Sequence, residues 1–374
     1  MHVPANVGGT SVRHRHPTRR DFVKTGAGVV IGTAAGALTP SWLAGRSALE
    51  KPVVSVVKIR NARVDRAVEQ AIDLLGGIET VAKSKDRIML KPNLVADGVP
   101  FTTKPVVVKT LAQLMRRSGR EVLIGEGSAA GTGFNVRGEV TYRTRNREIL
   151  DGMQRYIFNA LGYTDLARSL GIPLVNLHSG DLAEIEVPNG FAFDTIALHQ
   201  SLTEVDLLCS VPMMKTHVLA SVTLGMKNLI GLYPGTVYYS VRSWLHDQAA
   251  MVESPGIAFE TIDMVRASRL GLTVVDGSMA MEGDGPTGGR LVPMNLIIAG
   301  TNPLATDMVA ADVMGFGVHE VPTFTWAYRA GLGPGTVRDV EVRGERLDDV
   351  RRPFVKPNVV PWQSISKTWG VQEL

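Results

Sequence analysis

Two lysines, a histidine and an asparagine lie in the otherwise apolar stretch MMKTHVLASVTLGMKNLIGLYPG, which spans residues 213–235. An unpaired charge is costly among apolar side chains, so Lys215, His217, Lys227 and Asn228 are expected to have a ligand or a structural partner. Burial lowers the pKa of a lysine and favours its nucleophilic amine, whereas its ammonium donates to an anion. Lys215 and Lys227 are therefore predicted to hold or covalently attach an anionic group. The structural alternative is that Lys227 reaches solvent from the rim of a helix.

Histidines and carboxylates elsewhere in the chain extend this candidate site. His217 is predicted to be a general acid or base, or a metal ligand with His246 as its partner, although a structural histidine is an equal alternative. Glu126, Asp276 and Glu282 are predicted to bind a metal or to move protons. The candidate metal ligands are Glu126, His217, His246 and Asp276.

A glycine-rich segment, DGSMAMEGDGPTGGR at residues 276–290, contains the acidic residues Asp276, Glu282 and Asp284. Such a loop can fold its carboxylates or its backbone N–H groups onto a ligand. Its acidic residues lack the spacing of an EF-hand loop, which argues against a calcium site of that kind. A magnesium-type site, a hydrogen-bonding clamp and a plain glycine-rich turn all remain compatible with it. Its candidate cofactor-binding residues are Gly283 and Gly285.

The elements that must position these residues follow from the hydrophobic pattern. After residue 53, short apolar runs alternate with segments of helical period, which is typical of parallel α/β structure. Strands are predicted at 53–59, 87–90, 121–125, 173–177, 206–211, 272–276 and 295–300. Helices are predicted at about 64–75, 105–118, 147–170, 256–269 and 303–314. The predicted fold is an α/β, mostly parallel sheet with helices on both faces and a small C-terminal β-rich appendix.

Polar residues follow five of these predicted strands, and open parallel sheets place ligand crevices at the carboxyl ends of their strands. The sequence therefore predicts one crevice at one rim of the sheet, although a single polar strand end is as often a cap or a turn. The predicted catalytic residues are Lys215, His217, Lys227, Asp276 and Glu282. The predicted cofactor-binding residues are Asn93, Gly127, Ser128, Asn228, Gly283 and Gly285.

Composition limits the kinds of cofactor and partner. Cys209 is the only cysteine, so this chain can form neither an intramolecular disulfide nor an iron–sulfur cluster, and any metal must use nitrogen and oxygen ligands. Residues 1–50 contain six Lys or Arg and two Asp or Glu, and removing these from the totals of 40 and 36 leaves 34 of each. The neutral body argues against a nucleic-acid partner.

The first fifty residues are predicted to be a leader. The segment from Thr18 to Lys24, TRRDFVK, resembles a twin-arginine export signal and precedes an apolar stretch rich in Gly and Ala. The resemblance implies export through the twin-arginine machinery to the periplasm or to the outer face of the cytoplasmic membrane. Cleavage and retention as an anchor both remain open. The predicted organisation is a leader at 1–50, an α/β domain at 51–334 and a C-terminal appendix at 335–374.

Several motifs identify the chain as a member of the bacterial and archaeal family called domain of unknown function 362. They are KPNL at 91–94, GEGS at 125–128, VPMMKTHVLASVTLGMKNLIGLYPG at 211–235, VVDGSMAMEGDGPTGG at 274–289 and ATDMVAADVMG at 305–315. Many relatives are described as iron–sulfur proteins, but this chain lacks the necessary cysteines. The chain also has a more distant similarity to the N-terminal domain of lactate racemase. This resemblance implies that Lys227 corresponds to the lysine that tethers a cofactor in those enzymes, and that His217 corresponds to the histidine that precedes it.

These observations predict an exported enzyme that binds a small anionic substrate or cofactor at the rim of its sheet. Proton abstraction beside a carboxylate, as in racemisation, is the most concrete reaction, and metal assistance is compatible with it. A divalent metal or a nucleotide-type cofactor is compatible with the candidate residues. The alternative is a non-catalytic metal-binding or ligand-binding protein of the cell envelope. The predicted partners are a small anionic molecule and the twin-arginine export machinery.

Overall fold

A mostly parallel, mixed sheet forms the centre of the computed structural model, which describes residues 51–359. The strands are β1 (Val53–Lys58), β2 (Arg87–Pro92), β3 (Glu121–Glu126), β4 (Val136–Arg137), β5 (Val140–Thr141), β6 (Leu174–Asn176), β7 (Leu182–Glu186), β8 (Thr195–His199), β9 (Leu207–Val211), β10 (Met213–His217), β11 (Ser221–Thr223), β12 (Leu270–Glu282), β13 (Arg290–Val292), β14 (Leu296–Gly300) and β15 (Glu341–Gly344). The main sheet has the order β15-β1-β14-β12-β9-β2-β3-β6. In addition, β10 and β13 pair with β12, and β11 pairs with β10.

The direction of the strands divides the main sheet. β6, β3, β2, β9 and β12 pair in parallel, whereas β14 is antiparallel to both β12 and β1. β15 pairs in parallel with β1 and forms the opposite edge. All five residues of β9, LLCSV, are buried, as expected of a parallel strand that is covered on both faces.

Helices cover both faces of the sheet. They are α1 (Val64–Leu74), α2 (Ile78–Val81), α3 (Pro105–Arg117), α4 (Arg147–Ala160), α5 (Tyr163–Leu170), α6 (Gly225–Asn228), α7 (Gly235–Tyr238), α8 (Ser243–Met251), α9 (Ala258–Ala267), α10 (Pro303–Val313), α11 (Pro322–Arg329) and α12 (Leu347–Val350). In β2, Ile88 and Leu90 belong to the core beneath α1, α3, α4 and α5, while Met89 belongs to a core on the other face. Because successive side chains of a strand point to opposite faces, β2 contributes apolar residues to the cores on both faces of the sheet.

The predicted fold class and all seven predicted strands are confirmed, with shifts of a few residues at their ends. Two boundaries are wrong. The helix predicted at 147–170 is two helices, α4 and α5, because the backbone of Gly162 adopts a left-handed conformation with φ of 77°. The strand predicted at 272–276 continues to Glu282, because β10 and β13 pair with its second half. Half of the segment predicted to be a glycine-rich loop is therefore strand.

The chain ends lie partly outside the described residues. The predicted twin-arginine leader falls entirely outside them, as do residues 360–374. Within the predicted appendix, β15 lies at the edge of the main sheet, and the Val355 carbonyl accepts a hydrogen bond from the Gly283 amide. Between residues 51 and 359, no helix has both the length and the apolar character needed to cross a membrane.

Candidate functional site

A cavity of roughly 400 Å³ opens where β2 and β3 end and beside β10. Its volume is within the range of small-molecule sites. Its ionisable lining comes from the ends of β2 and β3, the connections that contain Asp97 and Glu139, strand β10, helix α6, and the segment at 242–246. The predicted site residues that line it are Asn93, Glu126, Gly127, Lys215, His217, Lys227, Asn228 and His246.

A buried ion pair between Lys91 and Glu126 forms one wall of the cavity. The Lys91 ammonium donates to Glu126 Oε1 at 2.8 Å, to Asn228 Oδ1 at 3.1 Å and to the Pro92 carbonyl at 3.1 Å, so its three hydrogens are used. Glu126 also accepts from the amides of Gly127 and Leu94. Both side chains are almost fully buried. The pair is thus fixed by mutual contacts and is suited to shaping the cavity.

Two glycines allow the backbone to approach the charged groups of this wall closely. A Cβ on Gly231 would lie 2.5 Å from Glu126 Oε1 and 2.7 Å from Lys91 Nζ. A Cβ on Gly127 would lie 2.7 Å from Arg242 Nη2. These distances are shorter than real Cβ contacts, so a larger residue at either position would displace the charged groups.

Lys215 lies on β10 and is fully buried. Its ammonium donates to the carbonyls of Phe101 at 2.8 Å and Pro286 at 3.3 Å. Within residues 51–359 no carboxylate pairs with it directly. Burial holds the pKa of Lys215 well below its ordinary value, and the charges of Lys227 and Lys104 lower it further.

Lys227 lies on α6 and is partly exposed to the cavity. No group in the described part of the chain forms a hydrogen bond or an ion pair with its ammonium. Burial lowers the pKa of Lys227 to about 7, and the charges of Lys91 and Arg242 add to this effect. At neutral pH the residue is therefore divided between ammonium and free amine.

The turn that carries Lys227 is held by a carboxylate from another element. Asp307, buried on α10, accepts the amide of Gly225 through Oδ1 and that of Met226 through Oδ2, each at 2.8 Å. These amides begin α6 and have no partner within so short a helix. Burial raises the pKa of Asp307 to about 7, against the opposing effect of the two hydrogen bonds.

His217 is a neutral donor in this arrangement. Its Nδ1 accepts a hydrogen bond from the Leu219 amide at 3.0 Å, and an amide can only donate, so the ring proton is on Nε2. Burial keeps the pKa of His217 well below its ordinary value, with contributions from Lys227, Lys215 and His246. Burial likewise lowers the pKa of His246 to about 3. Both rings are therefore uncharged at neutral pH.

Arg242 is a lining residue that the sequence did not predict. Its guanidinium donates to the carbonyls of Ser128 at 3.2 Å and Gly231 at 3.1 Å, and also to that of Gly127. Burial lowers its pKa to about 10. In the sequence it follows tyrosines and a serine, a context that resembles an exposed loop. Lys91, in the KPNL motif, was likewise not among the predicted site residues.

Several predicted site residues lie outside the cavity lining. The Ser128 amide donates to Gln154 Oε1. Asp276 accepts hydrogen bonds from Ser278 and from the Lys104 amide, and the bond from Lys104 joins β12 to the start of α3. Glu282 pairs with exposed Arg290 and accepts the Val355 amide. Gly283 and Gly285 are also absent from the lining; the carbonyl of Gly285 accepts the Val218 amide.

The predicted metal ligands do not assemble into a metal site. Among residues 51–359, no three His, Cys, Asp or Glu side chains are placed to share an ion. Asp276 is not among the cavity-lining residues, and both ring nitrogens of His217 are committed, one to accepting the Leu219 amide and one to carrying the proton. Glu126 is held by Lys91 and two amides. A divalent metal requires ligand atoms with available lone pairs, and these side chains do not offer them.

Basic side chains outnumber carboxylates in the cavity wall. The lining contains Lys91, Lys215, Lys227 and Arg242 together with the carboxylates of Glu126, Asp97 and Glu139. Lys91 is neutralised by Glu126, whereas Glu139 is exposed at the surface. Three basic side chains, Lys215, Lys227 and Arg242, thus lack a directly bonded carboxylate in the described structure, and their N–H groups suit the cavity to an anion.

Comparison with known proteins gives a family and two distant structural likenesses. The model of a family described as Domain of unknown function (DUF362) matches residues 88–312, more than half of the chain. The Thylakoid-associated protein sll1697 of Synechocystis sp. is 28% identical over 266 residues, which cover 70% of this chain and 74% of that protein.

Two solved structures resemble the chain at low similarity. The lactate racemase apoprotein from Thermoanaerobacterium thermosaccharolyticum gives a TM-score of 0.40 at 13% identity, covering 72% of this chain and 57% of that one. A protein from Thermotoga maritima gives a TM-score of 0.36 at 15% identity, covering 64% of this chain and 56% of that one. The chain thus spans a little over half the length of each, and likenesses this distant assign no role to any residue.

Proposed function

We propose, from the premise that this chain belongs to the DUF362 family, that its cavity binds a small anionic compound on which Lys227 moves a proton. The main support for this proposal is the environment of the Lys227 amine. Its amine faces the cavity, has no protein partner within the described chain, and has a pKa of about 7. A general base is most effective when its pKa lies near the working pH.

Binding of an anion follows from the charges that surround this amine. Lys215 and Arg242 are held in place by carbonyl groups, so their N–H groups are fixed donors in the cavity wall. Preorganised donors of this kind stabilise negative charge with little reorganisation. A carboxylate or phosphate in the cavity would favour the ammonium form of Lys227 and raise its pKa.

The reaction that fits these groups is proton abstraction from carbon beside a carboxylate. The proton passes from carbon to the fraction of Lys227 that remains a neutral amine with the anion bound, and the electron pair is delocalised onto the carboxylate oxygens. The charge that develops there is stabilised by Lys215, Arg242 and the Nε2–H of His217, because a neutral imidazole can serve as such a donor. The Lys227 ammonium trades its hydrogens with solvent, so reprotonation from the same face gives hydrogen exchange, whereas racemisation needs a second proton donor on the opposite face.

Deuterium exchange tests this reaction without knowledge of the product. A panel of small carboxylic acids is incubated with the protein in D₂O, and the loss of the C–H signal beside the carboxylate is followed by NMR. Wild type and the control Lys109→Met, altered at an exposed lysine of α3, are expected to exchange at least one acid, whereas Lys227→Met is not. Exchange that persists in Lys227→Met would rule out the assigned base.

Binding without turnover is the second candidate function. It is favoured by the saturation of Lys91, Glu126 and Asn228 by one another and by backbone groups, which leaves few polar groups free for chemistry. Calorimetric binding of acids that show no deuterium exchange would favour this candidate. A nucleotide-type cofactor likewise stays a prediction, and native mass spectrometry of the purified protein would detect it.

Export through the twin-arginine machinery is the proposed route to the cell envelope. The support is the TRRDFVK segment at 18–24 and the name of the thylakoid-associated relative, which indicates a membrane association for that protein. Replacement of Arg19 and Arg20 together by lysine is expected to retain the protein in the cytoplasm. Unchanged fractionation of the double variant would refute this route.

A further inference from the structure

Three side-chain atoms of residues that line the cavity are buried without a hydrogen-bond partner from residues 51–359. Arg242 Nε can only donate, whereas the other two, Asn93 Oδ1 and Thr223 Oγ1, can accept. Leaving such an atom unpaired in a site from which water is excluded is unfavourable. Both residues line the same cavity as Lys227.

The orientation of the Asn93 amide follows from its neighbours. Asn228 Nδ2 donates to the Lys91 carbonyl at 3.2 Å and to Ser210 Oγ at 3.0 Å, so the other terminal atom of Asn228 is oxygen. That oxygen accepts from Lys91 Nζ and, at 3.1 Å, from Asn93 Nδ2. The nitrogen of Asn93 is therefore fixed toward Asn228, and its oxygen is left as an acceptor.

We infer that the ligand of this cavity carries a hydroxyl or amine group that donates to Asn93 Oδ1, in addition to its anionic group. The inference rests on the proposed anion site. The lysines, Arg242 and His217 offer donors to the anion, whereas Asn93 Oδ1 offers only an acceptor. Thr223 Oγ1 can serve either role. The substrate class is thus hydroxylated or amino-bearing acids and phosphate esters, and plain acids of equal size fit less well.

Discrimination arises because a ligand with the donor satisfies the otherwise unpaired Asn93 Oδ1, whereas a ligand without the donor leaves this acceptor unpaired. Sites that hydrogen-bond a substrate group reject analogues that lack it more strongly than apolar pockets reject an extra atom. The cost of one unpaired buried acceptor corresponds to roughly tenfold or more in affinity. Asn93 is accordingly a specificity-determining residue rather than a catalytic one.

Calorimetry with a matched set of acids tests the inference: butyrate and its 2-, 3- and 4-hydroxy derivatives. Wild type is expected to bind at least one hydroxybutyrate roughly tenfold more tightly than butyrate. Asn93→Ala is expected to remove most of that preference, and Asn159→Ala, the same substitution at an exposed position of α4, to retain it. Equal binding of all four acids, or a preference that survives Asn93→Ala, would overturn the inference.

A second measurement on wild type does not depend on the folding of any variant. Because an amide does not titrate, the ratio of hydroxybutyrate to butyrate affinity is expected to stay constant between pH 6 and 9. Each separate affinity is expected to fall over this range as Lys227 loses its proton. A ratio that follows the titration would overturn the role of Asn93. Binding of butyrate without any hydroxyl preference defeats only this inference, whereas absence of binding by all four acids defeats the anion site as well.

Discussion

At the scale of single residues, the cavity separates charges that are satisfied from charges that are available. Lys91 and Glu126 bond to each other and to fixed groups around them, while Lys227 has no such partner in the described chain. The apolar stretch around Lys227 correctly indicated an unusual lysine. The sequence did not indicate that Glu126 would be matched by Lys91, because the two lie on different strands.

Removing one member of the buried ion pair is predicted to destabilise the protein. Glu126→Ala leaves the Lys91 charge buried without its carboxylate, for which the expected cost is about 3–5 kcal/mol in the free energy of unfolding. Glu69→Ala, which breaks exposed pairs with Arg66 and Arg117, is expected to change it by less than about 1 kcal/mol. Urea denaturation measures both. Equal effects would show that the buried pair has no special structural role.

The low pKa of Lys227 also predicts how stability depends on pH. In the unfolded chain a lysine titrates near 10.4, whereas in the folded protein Lys227 titrates at about 7, so the unfolded state binds more protons between these values. The free energy of unfolding therefore rises with pH in this window, and Lys227 contributes up to about 1.4 kcal/mol per pH unit. Urea titrations at pH 7, 8 and 9 are expected to give a smaller slope for Lys227→Met than for wild type. Identical slopes would mean that Lys227 titrates normally.

At the scale of elements, the site depends on contacts that no local pattern encodes. The predicted strands were correct because continuous apolar runs such as LLCSV mark buried parallel strands. The pairing of β10 with β12 was not predicted, because the lysine and histidine interrupt the apolar pattern of MMKTH. The antiparallel direction of β14 depends on its partners β12 and β1, and its own sequence does not specify it.

The clamp between α10 and α6 is predicted to hold Lys227 in place. Asp307→Ala removes both acceptors of the Gly225 and Met226 amides, so we expect these amides to exchange with deuterium at least tenfold faster. The affinity for butyrate is expected to fall together with this protection, because the amine loses its fixed position. Hydrogen-exchange mass spectrometry resolves the peptide. Asp312→Ala, on the outer side of the same helix, is the control.

Unchanged exchange at residues 225–226 in Asp307→Ala would contradict the clamp. Rapid exchange throughout α10 would indicate a general loss of packing. The informative result is a local increase at α6 with the protection of α10 retained.

At the scale of the whole molecule, the fold brings distant segments to one cavity. Residues from β2, β3, β10, α6 and the segment at 242–246 meet there, as the carboxyl-end rule for parallel strands indicated. The same rule also suggested Asp276, which is not among the lining residues: its carboxylate accepts from the Lys104 amide and from Ser278, and β12 continues past it to Glu282. The apolar pattern predicted that β12 exists, but it did not predict how far the strand extends.

An NMR titration of Lys227 in protein labelled with ¹³C at lysine Cε, assigned by comparison with Lys227→Met, measures the state of the cavity amine directly. We expect a midpoint of about 7 for the free protein and a higher midpoint when butyrate or phosphate is added, because an anion in the cavity favours the ammonium. A midpoint near the ordinary lysine value that does not move with either anion would refute both the low pKa of Lys227 and the anion site.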